Sequence, residues 1–348
     1  MKPKKKGQDQ GWIRQAVVIG VIAVALVFLI PLIFLPGLRD ADPAPTATLP
    51  VLESAAPASA TPAAGYDAAK QIRVLQPDGT VQTMALADYL WGVVAAEMPA
   101  SFHAEALKAQ TVAARTYCLY QLSGAASKHP DADVCTDSAC CQAYLTRDQA
   151  AAGWKGDAQR YGDKISAAVA DTDGLLALYH GQPIDALFFS SAAGRTVDAT
   201  EVWGSAVPYL TGVTSPEGEE VPGYNTTVTF PVETFKTTFL TAHADANFSG
   251  EPASWFQNVV QNSAGGVATM TVGGVSVTGP ELRRLYTLRS ASFTVGADAD
   301  TVTFQVTGYG HGVGMSQYGA NALAGQGENF EGILKHYYTG IAVGGLAE

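Results

Sequence analysis

The hydrophobic pattern changes character three times along the chain. Residues 15–38, QAVVIGVIAVALVFLIPLIFLPGL, form an uncharged run of 24 residues, long enough at about 1.5 Å per residue to cross a hydrocarbon core of about 30 Å. A cleaved signal sequence usually has an apolar region of only about 7–15 residues and ends in a small-residue site. Pro36, Gly37, Leu38, Arg39 and Asp40 offer no such site. The run therefore predicts a single transmembrane helix that stays on the protein, with Pro31 as a kink. Residues 41–64 lose the apolar pattern and are almost wholly Ala, Pro, Thr and Ser, a composition that makes a semi-extended spacer rather than a core.

From about residue 67 the pattern is that of a folded domain reaching residue 348. Two alternating runs flank Pro77-Asp78-Gly79 and predict a hairpin. Leu86, Leu90, Val93 and Val94 recur at helical spacing and predict a helix over 86–96. Residues 104–122 contain no Gly or Pro, are rich in good helix formers, and predict a second helix. A third helical pattern over 148–170 is interrupted at Gly153, Gly156 and Gly162. Beyond Gly174 short β-like runs alternate with Gly, Pro, Asn and Asp, and two short helices fit at 280–288 and 328–338. The expected class is α+β, a helical lobe from the first half packed on a β-rich lobe from the second. The whole is preceded by the transmembrane helix, and no internal repeat is visible.

Charge fixes the direction of the anchor. Residues 1–14 carry a net +4, whereas the rest of the chain carries 16 basic and 31 acidic residues within an overall net charge of −11. By the positive-inside rule residues 1–14 are a cytoplasmic tail, 15–38 the span, 39–66 the linker and 67–348 an extracytoplasmic domain at the cell membrane. The acidic balance leaves no electrostatic footprint for nucleic acid. Hydrophobic residues at 47% and charged residues at 15% exclude a disordered chain.

Two clusters carry candidate chemistry on residue type alone. Glu97 follows Val93, Val94, Ala95 and Ala96 and precedes Met98 and Pro99, so its carboxyl ends a helix in apolar surroundings. Such surroundings raise a carboxyl pKa, as a general acid requires; a helix-end carboxylate that bonds a neighbouring amide is the plainer alternative. His129, Cys135, Cys140 and Cys141 fall within 13 residues at the spacing H-x5-C-x4-C-C. Three thiolates and one imidazole suit a closed, structural tetrahedral zinc, with a disulfide from Cys135 to Cys140 or Cys141 as its rival outside the membrane. Cys118, inside a helix, reads as a small core residue.

The stretch DYLWGVVAAEMPASFHAEALKAQTVAARTYCL, residues 88–119, strongly resembles the signature of the stage II sporulation protein D family, and GYGHGVGMSQYGA, residues 308–320, resembles its second motif. FFSSAAGRTVDATEVWG at 188–204 and VTGPELRRLYTLRSASFTV at 277–295 follow the family as well, so the resemblance spans about residues 70–340. It implies a cell-wall factor similar to lytic transglycosylases that cut glycan strands already stripped of stem peptides during forespore engulfment. Its implied partners are peptidoglycan strands, an amidase/endopeptidase of the engulfment machinery and a membrane scaffold protein; relatives with the same domain act instead as non-catalytic activators of a cell-wall amidase. Carried onto this chain, the resemblance makes Glu97 the catalytic acid. Lys108, Gln110 and Arg115 become site-lining residues, and Ser190, Ser191, His311, Ser316, Gln317 and Tyr318 polar contacts for sugar, with His311 near Glu97. Where many members carry His before the first serine this chain has Phe189. Some members hold zinc with two Cys and two His, and the second His position here is Cys140.

Helical geometry limits these expectations. Lys108 and Arg115, seven apart, share a face, while Gln110 points about 140–200° away. One of the three, Arg115, is then expected to form a buried ion pair, with Glu105 as a nearby carboxylate. Lys108 near Glu97 would lower the carboxyl pKa against the effect of apolar surroundings.

Overall fold

The computed structural model describes residues 65–124 and 128–346, so the expected cytoplasmic tail, span and most of the linker lie outside the described residues. Among the described residues no helix is long and apolar enough to cross a membrane. In chain order the helices are α1 (Tyr66–Ala69), α2 (Leu86–Glu97), α3 (Ala104–Leu122), α4 (Arg147–Trp154), α5 (Ala158–Asp171), α6 (Ala199–Trp203), α7 (Val232–Ala242), α8 (Gly279–Leu285), α9 (Gln317–Gly325) and α10 (Phe330–Tyr337). The strands are β1 (Gln71–Leu75), β2 (Val81–Ala85), β3 (Val134–Cys135), β4 (Leu176–Tyr179), β5 (Gln182–Pro183), β6 (Phe188–Phe189), β7 (Asn225–Pro231), β8 (Phe256–Gln261), β9 (Val267–Val272), β10 (Val275–Thr278), β11 (Phe293–Ala297), β12 (Thr301–Thr307), β13 (Met315–Ser316) and β14 (Ala342–Gly344).

The class is α+β, as the pattern predicts, and local signals place its first half. The β1–β2 hairpin closes with Leu75 opposite Val81, and Asp78 Oδ1 accepts the Thr80 N–H at 2.9 Å inside the turn. Helix α2 ends where Pro99 approaches, since the residue before proline is pushed out of helical conformation. The pattern over 148–170 is two helices joined at Lys155, whose φ is 54°. Gly162 does not interrupt the second of them; its carbonyl accepts the Trp91 indole N–H at 3.3 Å.

Two lobes with separate cores follow, but their division differs from the expected halves. Helix α3 is the axis of the helical lobe, buried on nearly every side, with Leu107, Val112 and Ala113 packed against residues of α10 and with Ala114 and Cys118 against Ile72, Leu90 and Val134. The β-rich lobe covers residues 225–307, where Phe235, Phe239, Trp255, Met270, Tyr286 and Phe304 form a core of their own. Phe235 and Tyr286 stack at 4.7 Å there, and the Tyr286 hydroxyl donates to the Phe235 carbonyl at 2.9 Å.

After β12 the chain returns to the helical lobe. Strand β13 pairs in parallel with β6, Met315 opposite Phe188, and β14 pairs with β4. The glycine-rich run that carries this return leads into helix α9, an element that the sequence pattern does not predict. Gly314 permits the approach: its φ is +81°, and a Cβ there would lie 2.1 Å from the Leu187 carbonyl oxygen.

Candidate active site

Glu97 closes helix α2 and is half-buried. One oxygen, Oε1, accepts the Ala143 backbone N–H at 2.7 Å, and the other, Oε2, accepts the Gln317 side-chain amide at 3.3 Å. Burial raises the Glu97 pKa above its ordinary value, while the two donors pull against burial. Both sequence readings therefore meet in one residue: the carboxyl bonds an amide, and it is desolvated enough to hold its proton more tightly than an exposed glutamate.

Three elements bring these partners together. The loop between α2 and α3 is tied to α5 by Lys164, whose Nζ donates to the Ala100 carbonyl at 3.1 Å and to that of Phe102. Helix α9 docks on the same loop: the His103 N–H donates to Asn321 Oδ1 at 2.8 Å, and the Phe102 and Tyr318 rings meet edge to face at 4.9 Å. Ala143 lies just past the cysteine loop, where the Leu145 N–H reaches the Gly92 carbonyl at 3.1 Å.

The expected wall of the site is rearranged. Lys108 does not act on Glu97; its ammonium sits 3.1 Å from both Glu105 and Asp171, bridging α3 to α5. Arg115 is fully buried and so cannot line a sugar groove. Its ion-pair partner is not Glu105 but Asp67, which receives Nε at 2.8 Å and Nη2 at 2.5 Å, while Nη1 donates to the Leu175 carbonyl at 3.0 Å. Glu105 instead accepts the Phe330 N–H at 2.9 Å at the start of α10. Gln110 is fully buried, and neither atom of its amide has a hydrogen-bond partner among the described residues.

His311 is a structural residue of its turn rather than a neighbour of Glu97. Nδ1 accepts the Val313 N–H at 3.2 Å, and Nε2 lies 3.1 Å from the Phe188 carbonyl, so the ring is a neutral tautomer with both nitrogens used. Burial lowers its pKa to about 4. The ring also packs beside Phe189, 5.5 Å between centroids. Ser190 contributes its carbonyl, which accepts the Tyr318 N–H at 3.0 Å. Ser191 pairs through its backbone with Tyr309, and its buried hydroxyl has no hydrogen-bond partner among the described residues. Ser316 caps α9, accepting the Gly319 N–H at 3.2 Å.

The sequence reading missed Glu217, a nearly fully buried carboxylate beneath α9. It accepts the Ala192 N–H at 2.7 Å, the Ser215 hydroxyl at 2.5 Å and the Ser316 hydroxyl. Its sequence context, Ser215-Pro216-Glu217-Gly218, reads as an ordinary acidic turn, so no local signal marks it.

His129, Cys135, Cys140 and Cys141 converge, their ligand atoms all lying within 4.8 Å of one another. His129 Nε2 stands 3.6 Å from both the Cys140 and Cys141 sulfurs, which are 4.0 Å apart. None of the four cysteines forms a disulfide. Strand β3 holds Cys135 in place opposite Leu75. Ligand atoms around a tetrahedral ion with bonds of about 2.3 Å stand about 3.8 Å apart, close to the separations among His129, Cys140 and Cys141.

A family model described as stage II sporulation protein matches residues 77–179. The chain is 38% identical to stage II sporulation protein D of Bacillus amyloliquefaciens over 76% of its length and 75% of that protein. It is 36% identical to the Bacillus subtilis (strain 168) protein of the same name, over 76% of each. The chain belongs to the stage II sporulation protein D family. A further relative at 30% identity, the amidase enhancer of Bacillus subtilis (strain 168), is matched over 73% of this chain but 40% of its own length. Glu97 and Ala143 lie inside the span matched by the family model, whereas Gln317, the other hydrogen-bond partner of Glu97, lies outside it.

Proposed function

We propose that this member of the stage II sporulation protein D family is a membrane-anchored lytic transglycosylase, acting on peptidoglycan strands stripped of peptides during forespore engulfment. The observation that supports this most is the Glu97 carboxyl itself, half-buried, raised in pKa and held at both oxygens. A protonated Glu97 donates to the bridging oxygen as the glycosidic C1–O bond breaks. The 6-hydroxyl of the same muramic acid residue then attacks C1, a C1–O6 bond forms, and the hydroxyl proton passes to the Glu97 carboxylate, restoring the acid. No water is consumed, which is why one carboxyl serves where a glycoside hydrolase needs two. The product is a 1,6-anhydro-muramic end.

His129, Cys135, Cys140 and Cys141 are proposed to hold a zinc ion; with four protein ligands and no open position, such a metal would cross-link the loop rather than take part in the reaction. The loop matters to Glu97 because Ala143, two residues beyond Cys141, supplies its shorter hydrogen bond. Residues 15–38 serve in this reading as the anchor, with the domain facing outward.

A second reading is favoured by the relative named amidase enhancer, namely a non-catalytic activator of a cell-wall amidase. The two separate on one experiment. The full chain, solubilised in detergent, is incubated with peptide-free glycan strands beside its Glu97→Gln variant, and products are read by mass spectrometry. Anhydro-muramic ends from the unaltered protein alone support the transglycosylase. No cleavage by either, with a cell-wall amidase stimulated equally by both, overturns it in favour of the activator.

A further inference from the structure

Glu217 lies on no element of the catalytic helix pair, yet its contacts lead to Glu97 through one short path. Its Oε1 receives the Ser316 hydroxyl and the Ala192 N–H, and its Oε2 receives the Ser215 hydroxyl, itself 2.7 Å from the Tyr337 hydroxyl. Ser316 is the N-cap of α9, and the next residue, Gln317, is the one whose amide reaches Glu97. The carboxylate therefore sits under the first turn of a nine-residue helix, where the helix dipole favours a negative charge.

Gly319 shows how closely the helix is seated. A Cβ on that residue would fall 2.0 Å from the Tyr337 hydroxyl, 2.3 Å from that of Ser215 and 2.6 Å from Glu217 Oε2. Only glycine lets the turn descend onto the carboxylate. The titratable groups facing Glu217 are the phenols of Tyr337 and Tyr224. A fully formed network of this kind is worth its desolvation only when every member is satisfied, and here both carboxylate oxygens are.

We propose that Glu217 is a positioning residue for the glycan-cleaving site: through Ser316 and the first turn of α9 it fixes the Gln317 amide against the Glu97 carboxyl. The claim rests on the transglycosylase reading for its catalytic meaning, but its geometry is testable without substrate. The amide of Gln317 pulls the Glu97 pKa down, so freeing Gln317 should raise the carboxyl titration midpoint.

The test uses the full chain in detergent with carboxyl-13C glutamate, the Glu97 resonance being assigned by its loss in Glu97→Gln. Glu217→Ala is expected to shift the Glu97 midpoint upward by the same amount as Gln317→Ala, and the double variant by no more than either. Glu217→Gln, which keeps the Oε1 acceptor, is expected to restore the midpoint. In glycan cleavage, Glu217→Ala should lower kcat about tenfold with KM within about twofold, as misplacement rather than lost binding would. An unmoved midpoint in Glu217→Ala while Gln317→Ala shifts, or shifts that add in the double variant, would overturn the proposal. If Glu217→Ala does not fold, Ser316→Ala, which removes the linking hydroxyl together with the α9 cap, and Ser316→Thr, which keeps both, carry the same comparison: the midpoint should rise in the first and stay in the second. Absence of cleavage by the unaltered chain would sink the transglycosylase reading and leave the titration result standing on its own.

Discussion

The Gln317 amide lies 3.3 Å from Oε2 of Glu97 although 220 residues separate the two in the chain. This contact joins the end of α2 to the start of α9, and it makes the environment of the candidate acid a property of the whole domain. Its counterpart at Oε1, the Ala143 N–H, comes from the cysteine loop.

Glu97→Gln should abolish formation of anhydro ends and at the same time stabilise the protein at neutral pH. The folded carboxyl has a raised pKa, so the folded state binds the extra proton. That contribution is fully present below the unfolded value and is lost as pH rises through the folded one. Urea unfolding at pH 4 and pH 7.5 checks this: the variant should gain on the unaltered chain at the higher pH only. An equal effect at both would refute the desolvation argument.

His311 works in the opposite direction. Its folded pKa is lowered to about 4 from an ordinary 6.5, so the unfolded state takes up a proton first on acidification. Stability from the neutral ring is whole above pH 6.5 and is lost, at about 1.4 kcal/mol per pH unit, as pH falls toward 4. His311→Asn should flatten that acid slope in unfolding experiments, and 15N spectra of the unaltered chain at pH 5 should show a neutral imidazole.

Arg115 and Asp67 form a buried pair with side chains 0% and 3% exposed. Removing one partner leaves a buried charge alone, at a cost of about 3–5 kcal/mol. Arg115→Met is therefore expected to be severely destabilised in urea, and Arg115→Met with Asp67→Leu to recover much of the loss. A double variant no better than the single would show that the carboxylate is satisfied by other groups.

Metal analysis of the purified chain should find one zinc per molecule, and a chelator should lower its thermal midpoint, because an ion bound only by the folded state stabilises it by mass action. Cys140→Ser should reproduce the effect of the chelator and be insensitive to it. Preparations that bind no zinc yet melt identically with and without chelator would leave the four residues as a cluster of thiols without metal.

Local chemistry explains which parts were legible in the sequence. The β1–β2 hairpin was marked by Pro77-Asp78-Gly79, helices α2 and α3 by their apolar spacing and helix formers, and the His129 and cysteine cluster by its compact spacing. Glu97 was marked by apolar neighbours within its own helix. These signals act over a few residues, where the period of side chains and the conformational preference of each residue decide the outcome.

Tertiary structure decided what the sequence left open. Helix α9 was hidden because Gly319 and Gly325 weaken helical propensity, and close packing over Glu217 and His103 requires or tolerates them. Strands β6 and β13 are two residues each, paired with Met315 opposite Phe188, and too short to show a period. Arg115 took Asp67, 48 residues upstream, over Glu105 on its own helix, because a buried guanidinium bonds whichever carboxylate the packed core places within reach. The sequence by itself determined the class, the early helices and the identity of the candidate acid. Which groups surround that acid was decided only when distant segments were packed together, since burial and hydrogen-bond geometry belong to the assembled core and not to any stretch of chain.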